Sequence, residues 1–130
     1  MELTNQDRVG RALNGKRDII DITTIGRQTA QPRRVEIVFH NLDGRIFISG
    51  MPSGRRRAWL ANLETDDRLT FHLKRTVSAD LPARARIVTD EAERRAVLTE
   101  IIQTAWHDQD LEAMVRYSPL IEVTFEQNAA

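Results

Sequence analysis

Residues 18–25 read D-I-I-D-I-T-T-I, with Ile20, Ile22 and Thr24 on one face and Ile19, Asp21, Thr23 and Ile25 on the other. This two-residue period in a β-branched run predicts a strand. The period returns over residues 33–40, with Val35, Ile37 and Phe39 on one side, and over residues 45–49. Between them Asn41-Leu42-Asp43-Gly44 carries the Asp-Gly pair of a tight hairpin, so the three strands are expected to form an antiparallel meander. Leu69, Phe71 and Leu73 alternate within a fourth strand over residues 68–76. A fifth is expected over 83–88, after a connection through 78–82, and a last over 120–125.

Helical spacing appears four times. Residues 4–14 carry a stripe of Val9, Ala12 and Leu13, with Thr4 as cap, Asp7 three residues on, and Asn14-Gly15 as stop. Residues 55–63 place Ala58, Trp59, Asn62 and Leu63 together. Ser53 or Gly54 is the expected cap there, directing the positive helix end at an anion in the 50–54 loop. A long helix over 91–107, capped by Thr89 or Asp90, carries Val97, Leu98, Ile101, Ile102 and Ala105 inward. Glu91, Glu93, Arg94, Arg95 and Glu100 are expected on its outer face. A further helical piece spans 110–116, and the tail 127–130 is expected to fray. The sum is a mainly β fold with helices, of the α+β class. It is a barrel of about six mostly antiparallel strands, with a short helix after the third strand and a longer one before the last.

A length of 130 residues suits one domain, 1–130, able to bury a core of its own. The chain has no cysteine, which excludes thiol catalysis, thiolate zinc sites and disulfides. Nineteen Lys and Arg balance nineteen Asp and Glu, but unevenly: residues 1–60 hold 11 against 6, and residues 61–130 hold 8 against 13. A local basic excess suits a small anionic ligand better than a nucleic acid, which is met by a basic domain surface. No apolar run approaches the ~20 residues of a membrane helix, and the start does not resemble a secretory signal, so the expected location is cytoplasmic. His40, His72 and His107 are scattered and are read as structural. The basic residues concentrate in two turns, 26–34 and 49–57, where arginine forks could grip phosphate or carboxylate.

These two turns also carry a likeness. T-T-I-G-R-Q-T-A-Q-P-R, residues 23–33, resembles the G-R-K-S-G-x-x-R signature of the deazaflavin-dependent nitroreductase family. S-G-M-P-S-G-R-R-R-A-W-L-A-N-L, residues 49–63, is similar to that family's Ser-Gly-rich loop and following P-x-W-x-x-N-L helix. Residues 83–94 and 116–123 resemble its later strand-to-helix passage and final strand, so the likeness covers about 18–126. The resemblance implies a split β-barrel related to flavin mononucleotide (FMN)-binding and pyridoxamine phosphate oxidase folds. It implies an oxidoreductase that binds coenzyme F420 and passes hydride to a quinone-like or nitroaromatic acceptor, as a homodimer.

Carried over by position, Arg27 and Arg33 fall near the cofactor's phosphate and acidic tail, with Gln28 and Thr29 in the same turn. Ser49, Gly50 and Gly54 match the loop beside the ring. One of Arg55, Arg56 and Arg57 reaches ligand, with Arg55 taken as cofactor-binding. Trp59 and Asn62 belong to the helix under the loop. Gln28 replaces the family's lysine, Ala30 replaces a glycine, and Tyr117 remains of the tyrosines near the acceptor, as a candidate proton donor. Two alternatives stay open: the same barrel binding FMN, and a non-catalytic ligand-binding protein.

Overall fold

A computed structural model describes residues 4–75 and 77–126. Six strands, β1 (Arg17–Ile25), β2 (Pro32–Leu42), β3 (Arg45–Ser49), β4 (Arg68–Leu73), β5 (Ala79–Ile87) and β6 (Leu120–Phe125), close into a barrel in the order β1-β2-β3-β6-β5-β4. Every neighbouring pair is antiparallel. The helices are α1 (Asn5–Leu13), α2 (Ala58–Thr65), α3 (Glu91–Thr104) and α4 (Leu111–Tyr117). The α+β barrel and the β1–β3 meander are as the alternation predicts. The β2–β3 turn is tight because Asp43 and Gly44 take φ of 53° and 88°, the left-handed values a two-residue primed hairpin requires. Thr4 and Asp7 form a complete capping box on α1.

The inward residues of the strands fill the barrel. Ile20 and Ile22 of β1, Phe39 of β2, Ile46 and Ile48 of β3, and Phe71 of β4 form one cluster, with Trp59 and Leu63 of α2 against it. Fully burying each such side chain stabilises the fold by about 1.5–3 kcal/mol. A second cluster lies on the outside of β3, where Phe47 meets Leu98 and Ile101 of α3 and Met114 of α4. The short strand β3 is therefore buried on both faces, which explains why residues 46–49 show no polar alternation.

Several boundaries move. β5 begins at Ala79, so most of the expected 78–82 connection is strand, pairing Ala79 with Leu73 and Pro82 with Thr70. The proline is tolerated because its carbonyl accepts from Glu126 N–H on the β6 side. In an antiparallel strand the missing N–H faces that same side, so the β4 ladder loses no bond. The predicted end of β4 at Thr76 lies outside the described residues, as does the tail 127–130. α2 begins at Ala58, three residues later than expected, and its cap is Arg57, which makes no side-chain capping bond. Ser53 does not cap it, because its Oγ accepts from Arg55 N–H at 3.1 Å within the loop. α3 ends at Thr104, and Trp106 beyond it stands edge-on to His40 at 4.8 Å. Arg94 does not face outward. Its guanidinium donates to the carbonyls of Val88, Met114, Val115 and Ser118, and so bolts α3 to the end of α4.

Candidate functional site

The first turn of α2 separates two clefts. Ala58, Trp59 and Asn62 face one, and Arg57 and Leu60 face the other. The first, of about 470 Å³, lies between α2 and the turn joining β1 to β2. That turn is held closed by two short backbone bonds, Gly26 N–H to the Gln31 carbonyl and Ala30 N–H to the Gly26 carbonyl, both 2.8 Å. Ala30 takes φ of 57°, an uncommon value for a residue with a Cβ, at the position where the likeness expects glycine. Gly26 is required by space: a Cβ there would meet Thr29 Oγ1 at 2.7 Å and the Gln31 carbonyl at 3.1 Å.

Asn62 ties this turn to the barrel end. It is 3 % exposed; its Oδ1 accepts from Arg27 N–H and from Arg27 Nη1, and its Nδ2 donates to Thr24 Oγ1 at 3.1 Å. Arg27, Gln28, Thr29 and Arg33 thus share one wall, and Trp59 and Asn62 share the other. Pro32, Val35 and Ala58 add apolar surface. Arg34 also reaches the cleft, but Asp21 pairs with it at 2.8 Å. Arg27 and Arg33 make no ion pair among the described residues, and no carboxylate lines the cleft. Its chemistry is two uncompensated guanidinium groups beside an apolar wall, a donor set for an anion attached to a flat ring.

The second cleft, of about 370 Å³, lies between the 53–57 loop and the end of α4. It collects Gly54, Arg55, Arg56, Arg57 and Tyr117 from the candidates named by sequence, and adds Arg94, Arg116 and Ser118, which sequence reasoning did not place in a site. No local signal marks Arg94 or Ser118, since their position depends on α3 and α4 packing together. Tyr117 is 54 % exposed. Arg57 donates from Nη2 to the Met51 carbonyl at 2.8 Å and packs against Gly50, where a Cβ would meet that nitrogen at 2.9 Å. Burial holds the guanidinium groups of Arg57 and Arg94 below their ordinary range, the cost of removing a charge from water. Ser49 and Gly50 line neither cleft; Ser49 is buried and its Oγ donates to the Pro119 carbonyl at 2.6 Å, fastening β3 to the start of β6.

The family model for the F420H(2)-dependent quinone reductase matches residues 1–124. No curated protein matches the chain in sequence. Among solved structures, an F420-H2 dependent reductase superposes with a TM-score of 0.56 at 17% identity, covering 82% of this chain and 93% of that one. A protein from Bacteroides thetaiotaomicron named for 5-nitroimidazole antibiotic resistance gives 0.64 at 16%, covering 97% and 82%. A protein solved as a domain-swapped dimer gives 0.60 at 18%, covering 82% and 79%. At these identities the likeness establishes a shared fold.

Proposed function

The chain belongs to the F420H(2)-dependent quinone reductase family and is an F420-dependent oxidoreductase, and from that premise we propose that it reduces a quinone-like acceptor with F420 held in the first cleft. The observation that carries this reading is the pair Arg27 and Arg33, which make no ion pair among the described residues and line, with Trp59, a cleft whose described lining holds no carboxylate. The residues present fit the cofactor: guanidinium forks suit its phosphate and acidic tail, and the wall of Pro32, Val35, Ala58 and Trp59 suits a planar ring. When bound, the reduced deazaflavin supplies the hydride.

The protein's own residues bind and orient. Arg27 and Arg33 hold the anionic end, and Asn62 holds Arg27 by both backbone and side chain. Gln28 and Thr29 offer polar contacts from the same turn. Arg57 pins the 50–54 loop, so that Gly54 and Arg55 edge the second cleft, across the first turn of α2 from the ring. Tyr117, the candidate proton donor, lies in that second cleft and is divided from the ring by the same turn. The homodimer expected for this fold is part of the same reading, supported by the neighbour solved as a domain-swapped dimer.

Anaerobic mixing of reduced F420, 2-methyl-1,4-naphthoquinone and catalytic amounts of the protein tests the activity. The absorption of oxidised deazaflavin should return over many turnovers. A rate no higher than that without protein overturns the proposal.

A further inference from the structure

On the outer face of the barrel β1, β4 and β5 present a grid of outward side chains. The register sets Asp21, His72 and Asp80 in one cross-strand row, and Thr23, Thr70 and Pro82 in the next. His72 is 6 % exposed and its ring is held from both sides. Nδ1 lies 2.6 Å from Asp80 Oδ1, and Nε2 lies 2.6 Å from Thr23 Oγ1. Asp21, the other carboxylate of the row, is taken by Arg34 and Lys74, which leaves Asp80 to orient the ring.

The direction of these bonds follows from the partners. The bond from His72 holds the Asp80 carboxyl below its ordinary range, so the group is ionised near neutral pH and only accepts. In the neutral ring the proton therefore sits on Nδ1, and Nε2 offers a lone pair. The Thr23 hydroxyl is then the donor to Nε2. Hydroxyl, imidazole and carboxylate stand in the order that activates a hydroxyl as a nucleophile.

A groove of about 270 Å³ opens beside Thr23 and shares no lining residue with either of the two clefts described above. Ile25, Leu69 and Pro82 give it apolar surface, and Arg68 gives it a cation. Asp66 takes Nε and Nη2 of Arg68, which leaves Nη1 as a donor for a carbonyl oxygen that gains charge. Glu126, also in the lining, pairs with Arg84 at 3.7 Å.

We propose that Thr23 and His72 form a second catalytic site, positioned by Asp80, that hydrolyses small activated esters through an acyl-threonine. Thr23 Oγ1 bonds to the ester carbonyl carbon as its proton passes to His72 Nε2. The bond from that carbon to the leaving alkoxide or phenolate breaks, and the leaving oxygen takes the proton from Nε2. Water then attacks the acyl carbon and gives a proton to Nε2. The acyl–Oγ1 bond breaks, Thr23 recovers its proton and the carboxylic acid departs. The net reaction is ester plus water to acid plus alcohol, with no change of oxidation state.

The probe is 4-nitrophenyl acetate, given to the full chain. Release of 4-nitrophenol should saturate with ester. Acid quenching during turnover, followed by peptide mass analysis, should find one acetyl group on Thr23. Thr23→Val keeps the shape of the side chain without its hydroxyl, and should remove that acetyl group and lower the saturable rate about hundredfold. His72→Gln should lower it on the same scale. Asp80→Asn, at an exposed position, should lower the maximal rate about tenfold or more and leave the half-saturating ester concentration in place. Thermal melts of each variant report on the fold, and the acetyl position in the parent protein needs no variant at all.

Acetyl groups recovered only on residues other than Thr23 overturn the proposal. So does a saturable rate that survives Thr23→Val. F420 affinity should be equal in the parent and in Thr23→Val, since the groove lies apart from the cofactor's cleft. A folded Thr23→Val protein with altered F420 affinity would overturn the assignment of a separate site.

Discussion

Asn62 Oδ1 accepts two hydrogen bonds from Arg27, one from the backbone N–H at 3.1 Å and one from Nη1 at 3.3 Å. A single buried side chain on α2 thereby fixes both the path of the β1–β2 turn and the aim of its first arginine. Asn62→Ala leaves the Arg27 N–H and the buried Thr24 hydroxyl without these bonds. The expected cost is about 2–3 kcal/mol of stability, read from denaturant unfolding. F420 affinity should fall by more than tenfold, because Arg27 then samples orientations that the bound state needs fixed.

Gly26→Ala tests the same turn from its other side. The added Cβ would lie 2.7 Å from Thr29 Oγ1 and 3.1 Å from the Gln31 carbonyl, and the second of these is backbone. The turn must open, at a cost of about 1–3 kcal/mol. Thermal melts should show that loss, and cofactor titration should show weaker binding.

The barrel and the order of its elements were legible because strands such as β1 carry their inward residues in alternation, as Ile20, Ile22 and Thr24 do. The Asp43-Gly44 turn and the Thr4–Asp7 cap were legible because their chemistry is local. The start of α2 was not: Arg55 to Ala58 are compatible with a helix, and the bonds from Arg55 N–H to Ser53 Oγ and from Arg57 Nη2 to the Met51 carbonyl tie the segment into a loop instead. Pro82 concealed the first half of β5, because its place in a strand depends on which side faces β6. Motif order brought Arg27, Arg33, Trp59 and Asn62 into one cleft. It did not separate them from Arg55 and Tyr117, which are divided from that group by the first turn of α2. Arg94 and Ser118 depend on contacts between α3 and α4, which no spacing in the chain encodes.

His40 makes the fold acid-sensitive near neutrality. Its ring is buried with both nitrogens unpartnered among the described residues, and burial first, then the nearby charge of Arg17, lowers its pKa from 6.5 to about 4. The unfolded chain takes up the proton more readily, so stability falls as pH drops from about 6.5 and levels near 4, where the folded ring also protonates. The span corresponds to roughly 3 kcal/mol. His40→Phe, which keeps an aromatic edge against Trp106, should flatten the stability profile over that window in urea unfolding between pH 4 and 7.

Glu122 governs a lower window. Arg45 Nε at 2.8 Å, opposed by burial and reinforced by Arg86 Nη2 at 2.8 Å, lowers its carboxyl from 4.5 to about 2. The folded value lies below the unfolded one, so the stabilisation is complete above about 4.5 and is lost as pH falls toward 2. In Glu122→Gln the acid limb below pH 4.5 should lose this component, while the protein is less stable than the parent at pH 7. Unchanged profiles at both ends would show that the Arg45–Glu122–Arg86 network adds nothing to the fold.

The most direct test of the account is an equilibrium titration of the purified protein with F420 in parallel with FMN, repeated for Arg33→Ala. The account predicts micromolar F420 binding, weakened about tenfold or more by the substitution, and FMN binding that is far weaker than F420 binding. F420 affinity unaltered by Arg33→Ala would contradict the placement of the cofactor in the first cleft. FMN binding in preference to F420, or binding of neither, would contradict the reading of that cleft as a deazaflavin site.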